Sequence, residues 1–474
     1  MSSPTYDVVV VGSGPNGLAA AITLRRAGCS VLVLEAGETA GGGLRSRELT
    51  LPGFVHDVCA AVHPLARASP FFRSLPLAEH GANWVEPDAE LAHPLDNGRA
   101  VMLERSLELT GAGLGADGAA YASLMDGLVQ HWEPLMGMLL GPLRWPRHPL
   151  LLTRFGLAGM RSARSLTRRY FVGAEPCALV GGLAAHAVLP LERRPTAAFG
   201  LILALLGHAV GWPLVRGGSQ RLADAMASYL ESLGGEIRTN ARVACVDELP
   251  ESRVVLLDVG PRQLLRLAGH RLTSAYRRQL ERYRYGPGVF KMDWALAAPI
   301  PWRAGECRRA GTVHLGGSLD EIATAEQSTF NGRHSERPFV ILAQPSLFDD
   351  TRAPAGRHTA WAYCHVPHGS TLDMSDTIER QIERFAPGFR ERVLARHVMT
   401  PAALEQYNPN YVGGDISGGV QDLRQLFARP TRPLRPYATP DKRLYICSAS
   451  TPPGGGVHGM GGYFAAQLAL RQRL

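Results

Sequence analysis

Four stretches of this chain carry a hydrophobic pattern strong enough to place elements. Asp7 to Val11 is an apolar, β-branched run, which predicts a buried strand. Pro15 to Ala27 has apolar residues at helical spacing and is followed by Gly28, a natural helix stop. Val31 to Leu34 predicts a second buried strand, ending on Glu35. At the other end, Leu444 to Leu474 reads as strand, glycine turn and helix. Between them the pattern predicts helices over 121–130, 220–233 and 378–385, and strands over 236–246, 254–259 and 286–302. Strand-like segments carry His314 and the run Trp361, Tyr363, His365.

Two apolar regions need separate reading. Residues 195–215 hold no acid, Lys or Arg for 21 positions, about the length of a membrane-spanning helix. Pro195, Pro213, three glycines and His208 interrupt them, which favours a core or substrate-tunnel helix over peripheral membrane contact or a span. Residues 134–160 are apolar, broken by Pro, with Arg144, Arg147, His148 and Arg154 between. They suit a pocket wall or a membrane-facing patch.

The 474 residues suffice for two or three domains, and 45% hydrophobic content allows a large core. A formal charge of +8 raises nucleic acid as a partner, but basic and acidic residues are interspersed, with no basic block and no nucleic-acid motif. Seven cysteines without a C-x-x-C pair suit a reduced, cytoplasmic protein without a zinc site, and no metal is expected. Only Lys291 and Lys442 among 50 basic residues are lysine, so each invites a question about its role.

Chemistry enters at the first turn. Gly12, Gly14 and Gly17 form G-x-G-x-x-G between strand and helix, with Pro15 and Asn16 inside it. Gly12 permits the tight turn, Gly14 admits a pyrophosphate, and Gly17 lets helix and strand approach. The helix N-terminus offers free N–H groups to that anion. Glu35, at the tip of the second strand with Ala36 beside it, is placed to accept ribose hydroxyls and disfavours a 2′-phosphate. AGGGLRS follows, in which Gly42 and Gly43 allow close approach of the backbone and Arg45 offers a charge-assisted contact. At the far end, Ser448, Gly455, Gly456, His458, Gly459 and Met460 surround a second glycine turn, and the helix behind it aims its positive end inward.

These motifs, with PGFVHDVCAAVHP (52–64) and YNPNYVGGDISGG (407–419), resemble the amine-oxidase and phytoene-desaturase superfamily of FAD enzymes, in its phytoene-desaturase-like branch. In many members an Arg directly follows the diglycine; here Gly43 stands there and Arg45 is displaced. The resemblance implies an α/β fold: a Rossmann-type, glutathione-reductase-like FAD domain with an inserted α+β substrate domain. The FAD domain would take residues 1–72, 215–262 and 435–474, and the substrate domain 73–214 and 263–434. Non-covalent FAD is the implied cofactor, with the Val243 backbone at its adenine. Lys291 matches by position a lysine that holds a water against flavin N5, and His63 and His458, near the flavin, are the other catalytic candidates. His314, Trp361, Tyr363 and His365 are candidate pocket residues. The resemblance implies dehydrogenation or desaturation of a lipophilic small molecule by hydride transfer to N5, with the oligomeric state open. The alternatives are a flavin-dependent cis–trans isomerase or saturase, an amine oxidase, and a non-catalytic prenyl or lipid carrier.

Overall fold

The computed structural model describes residues 5–431 and 436–474. The boundary expected between 434 and 435 lies outside the described residues. Five parallel strands form one sheet in the order Leu444–Ile446, Ser252–Leu257, Tyr6–Val11, Val31–Leu34, Glu236–Arg238. The three central strands are covered on both faces, which is why residues 8–11, 31–34 and 254–257 read as unbroken Val and Leu runs. The first and last segments of the chain are thus two places apart in one sheet.

Helix Pro15–Arg26 begins with proline in its first turn, where the missing N–H costs nothing. Gly12 takes φ +96°, and a Cβ on Gly17 would stand 2.0 Å from the Gly12 carbonyl oxygen. Glycine is obligatory there because the helix begins against the turn. The C-terminal helix Met460–Gln472 packs on the same helix, and a Cβ on Gly462 would fall 1.8 Å from the Asn16 carbonyl oxygen. Backbone meets backbone at that crossing, and Gly462 N–H donates to Asn16 Oδ1.

The second sheet has seven strands, in the order Val393–Met399, Gly288–Leu296, His358–Val366, Val340–Ala343, Ala310–Leu315, Ala89–Pro94, Ala100–Leu103. All its pairs are antiparallel except Ala310–Leu315 with Ala89–Pro94. Along Gly288–Leu296 the alternate residues Phe290, Met292, Trp294 and Leu296 pack under helix Ser375–Phe385. Val289 and Lys291 face the other way, into a cavity. Strands Ala89–Pro94 and Ala100–Leu103 lie in a region whose pattern predicted no element.

Helices fill residues 107–209. The uncharged run becomes helix Thr196–Ala209, whose Leu201, Leu205 and Leu206 are buried and which packs on helix Ala174–Ala185. Among the described residues no helix is long and apolar enough to cross a membrane. The strand expected over 236–246 stops at Arg238. Asn240 takes φ +53°, a left-handed turn that asparagine tolerates, and Ala241 N–H then donates to the Glu35 carbonyl. Val243 therefore reaches the cavity from a loop.

Gly462→Val places a branched side chain into the Asn16 backbone. Overpacking of this kind costs about 3 kcal/mol or more, so the variant is expected to lose several degrees of melting temperature or fail to fold, measured by thermal unfolding.

Candidate functional site

One cavity of about 1750 Å³ lies between the carboxyl ends of the parallel strands and the open face of the seven-stranded sheet. Open α/β sheets place ligands at that end. Ordinary small-molecule sites run to ~300–1,000 Å³, so this volume suits two ligands end to end. All of the residues proposed above for catalysis, cofactor and substrate line it, except Gly17, Gly459, His314 and His365.

Those four have other surroundings. Gly17 packs against Gly12 and donates its N–H to Asp258 (2.9 Å). Gly459, at φ +67°, precedes the last helix, and a Cβ there would press on Phe71 and Ala19. His314 and His365 point the same way as their strand neighbours but sit behind the wall. His314 Nε2 meets His186 Nε2 at 3.0 Å, and His365 Nδ1 meets Glu326 at 2.8 Å. Thr312 and His186 line the cavity in their place.

Glu35 is buried, yet its carboxylate is held below the usual range. Burial pushes it up, but the Ser13 hydroxyl and the N–H groups of Gly37 and Ser13 donate to it, and Arg45 pairs with it at 3.0 Å. Arg45 also donates to the Thr39 carbonyl, so in this structure it braces the acid. Tyr407 hydroxyl donates to the Gly42 carbonyl (2.8 Å), and Asn410 Oδ1 accepts from Gly260 N–H (2.9 Å). The 407–419 loop thereby ties the diglycine turn to a strand end.

Asp258 was not foreseen. Its carboxylate caps the dinucleotide-type helix at Gly17 N–H, and a Cβ on Gly14 would stand 2.7 Å from its Oδ2. Burial, with Glu35 nearby, lifts this carboxyl to about 7. An Asp at the tip of a parallel strand, beside a glycine turn, was the available signal.

Lys291 is buried, and its Nζ donates to both oxygens of Asp293 at 2.6 Å. The two share a strand face at i and i+2, a spacing that could have revealed the pair. Asp293 is fully buried. Burial raises its carboxyl, but Lys291, His397 and His56 hold it below the usual range. The Lys291 ammonium lies 5.8 Å from the Trp361 ring centre. Trp361 and Tyr363 stack at 5.6 Å and 11°, too close to admit a third group between them.

His63 Nε2 bonds to Ser219 Oγ at 2.8 Å. His458 accepts from Met460 N–H at Nδ1 and reaches the Gly454 carbonyl through Nε2, at 3.1 and 3.0 Å. Both its nitrogens therefore hold the shape of the glycine turn. At the surface Cys245, Asp247 and His270 come together, but Asp247 is already paired with Arg271, and the group is an ion-pair cluster.

Residues 10–75 match the model described as an NAD(P)-binding Rossmann-like domain. The chain is 29% identical to pyridine nucleotide-disulfide oxidoreductase domain-containing protein 2 of Rattus norvegicus, over 99% of this chain and 94% of that protein. It is 24% identical to a neurosporene-forming phytoene desaturase of Cereibacter sphaeroides, over 97% and 93%. Among solved structures it superposes on putrescine oxidase with a TM-score of 0.61, at 19% identity, covering 98% of each chain.

Burial lowers His56, His63 and His458 to about 4, so all three are neutral at pH 7. Below about pH 6.5 the unfolded chain takes up protons that the folded chain refuses until pH 4. The contribution of these histidines is therefore full above pH 6.5 and falls as the pH drops toward 4, by roughly 1.4 kcal/mol per histidine and pH unit; Asp258, lifted to about 7, takes up a proton on folding in the same window and offsets one of the three. Melting temperatures measured from pH 7.5 to 4.5 should decline steadily across that window.

Proposed function

We propose that this chain, an oxidoreductase of the amine-oxidase and phytoene-desaturase superfamily, carries non-covalent FAD and dehydrogenates or desaturates a lipophilic small molecule, with hydride passing to flavin N5. The observation that carries the reading is the single cavity bounded by both glycine turns and by Lys291. The donor set fits a flavin dinucleotide: a helix N-terminus for its pyrophosphate, Glu35 for its ribose, and glycines where its rings must lie against backbone. When bound, FAD supplies the two-electron acceptor.

The chain supplies the rest. Phe199, Ile202, Leu203 and Trp361 give the substrate end an apolar wall, and each CH₂ buried there contributes ~0.8 kcal/mol. Asp293 holds the Lys291 ammonium in one orientation on the cavity wall. A fixed cation there stabilises negative charge that develops nearby. We assign residues 1–72, 215–262 and 435–474 to the cofactor domain and the remainder to the substrate domain. An amine substrate is disfavoured because the stacked Trp361–Tyr363 pair leaves no slot between its rings, and a cation, Lys291, stands 5.8 Å from the Trp361 ring centre. A carrier without catalysis is at odds with the oxidoreductase homologues.

Purified protein is expected to be yellow and to bleach anaerobically with a lipophilic donor from a panel of polyenes, acyl chains and amines. Lys291→Met should keep its flavin and slow bleaching or reoxidation by at least about tenfold. Colourless protein overturns the cofactor reading. Turnover that needs reductant without net oxidation would instead favour the isomerase or saturase.

We also propose that the cavity mouth touches a membrane surface. Trp145 is 93% exposed and Leu150 86% exposed. Both stand beside Arg147, which lines the cavity with Arg144, the arrangement of an interfacial anchor. Trp145→Glu should abolish co-flotation with anionic lipid vesicles while leaving the melting temperature unchanged.

A further inference from the structure

Four cations are buried among the described residues: Arg45, Lys291, Arg352 and Arg429. Three are matched by carboxylates. Arg45 pairs with Glu35 at 3.0 Å, Lys291 with Asp293 at 2.6 Å, and Arg352 with Asp57 at 2.7 Å and Asp349 at 3.0 Å. Arg429, 1% exposed, has no such partner. Its Nη2 donates to the Tyr283 hydroxyl and the Gly418 carbonyl, each at 3.1 Å. Its Nε and Nη1 meet no acceptor.

An unmatched buried guanidinium is costly, because desolvation removes far more than two neutral acceptors return. Titration offers no relief, since arginine keeps its proton. Asp415, the carboxylate that acts on this charge from the neighbouring loop, is spent on the N–H groups of Gly286, Ser417 and Gly419. Arg429 also lines the same cavity as both glycine turns. A Cβ on Gly454 would stand 2.7 Å from Nη1, so the C-terminal glycine turn is shaped to seat this charge.

We propose that Arg429 is an oxyanion-binding residue of the cavity and that the missing countercharge comes with a ligand. The chemistry required is a phosphate or carboxylate group, which guanidinium binds through charge-assisted hydrogen bonds. Two ligands can bring it: the pyrophosphate of the cofactor, or an ionised acid group on the lipophilic substrate. The inference rests on the reading of this cavity as a flavin and substrate site.

The test uses the full chain freed of flavin, as wild type, Arg429→Gln and Arg429→Lys. Binding of FAD, ADP, riboflavin, inorganic pyrophosphate and dodecanoate is measured by calorimetry, with melting temperature in parallel. Loss of a charge-assisted contact should weaken the responsible anion roughly 10- to 100-fold in Arg429→Gln, with partial recovery in Arg429→Lys and riboflavin unaffected. The ligand-free melting temperature should not fall in Arg429→Gln, whereas loss of an arginine that only props the loop would lower it. Weakened FAD, ADP and pyrophosphate identify the cofactor as the source; weakened dodecanoate with FAD intact identifies an acidic substrate. Unchanged affinity for every anion, or a lowered ligand-free melting temperature without loss of anion binding, overturns the proposal. Wild type that binds no FAD overturns the flavin reading instead, and Arg429-dependent binding of pyrophosphate or dodecanoate would still stand.

Discussion

The rest of this molecule depends on two helices meeting backbone against backbone. Gly462 lies against the Asn16 carbonyl, and Gly17 lies against that of Gly12. These contacts let the last helix dock on the first and hold strands Tyr6–Val11 and Leu444–Ile446 in one sheet, with Ser252–Leu257 between them. The two glycine turns then open at the same end of the sheet, and a single cavity spans them. A methyl group at either glycine would drive backbones apart by more than a side chain can absorb.

The cavity wall follows one electrostatic rule. Buried charge is tolerated where it is matched, and of its three buried cations, Arg45, Lys291 and Arg429, the first two are tied to carboxylates. Matching also fixes geometry. Glu35 is kept charged and oriented by Ser13, Gly37 and Arg45, and Lys291 is aimed by Asp293. The histidines obey the complementary rule: burial keeps His63 and His458 neutral, and their hydrogen bonds hold neighbouring loops in place.

Period-two alternation on the Gly288–Leu296 strand explains how one element serves both core and site. Its even-numbered residues build the apolar layer under a helix, while Lys291 and Asp293 occupy the opposite face. Asp293 went unnoticed in the sequence because an acid inside an apolar strand is normally read as a solvent-facing position. Its partner across the sheet, His397, comes from the edge strand Val393–Met399, more than a hundred residues away.

The chain's own pattern determined the βαβ unit, Glu35, both glycine turns and the Lys291 strand, because each is encoded by neighbours within a few residues. Local periodicity and obligatory glycines need no distant partner to be legible. Contacts of long range decided the rest. The expected strand over 236–246 broke at Asn240 because Ala241 is drawn onto the Glu35 carbonyl. His314 and His365 turned to buried partners, leaving Trp361 and Tyr363 on the wall. Asp258 capping the first helix, Asp293 pairing with Lys291, and Arg429 lacking any acid emerged only on folding, because a buried charge acquires its meaning from whatever stands within about 4 Å of it.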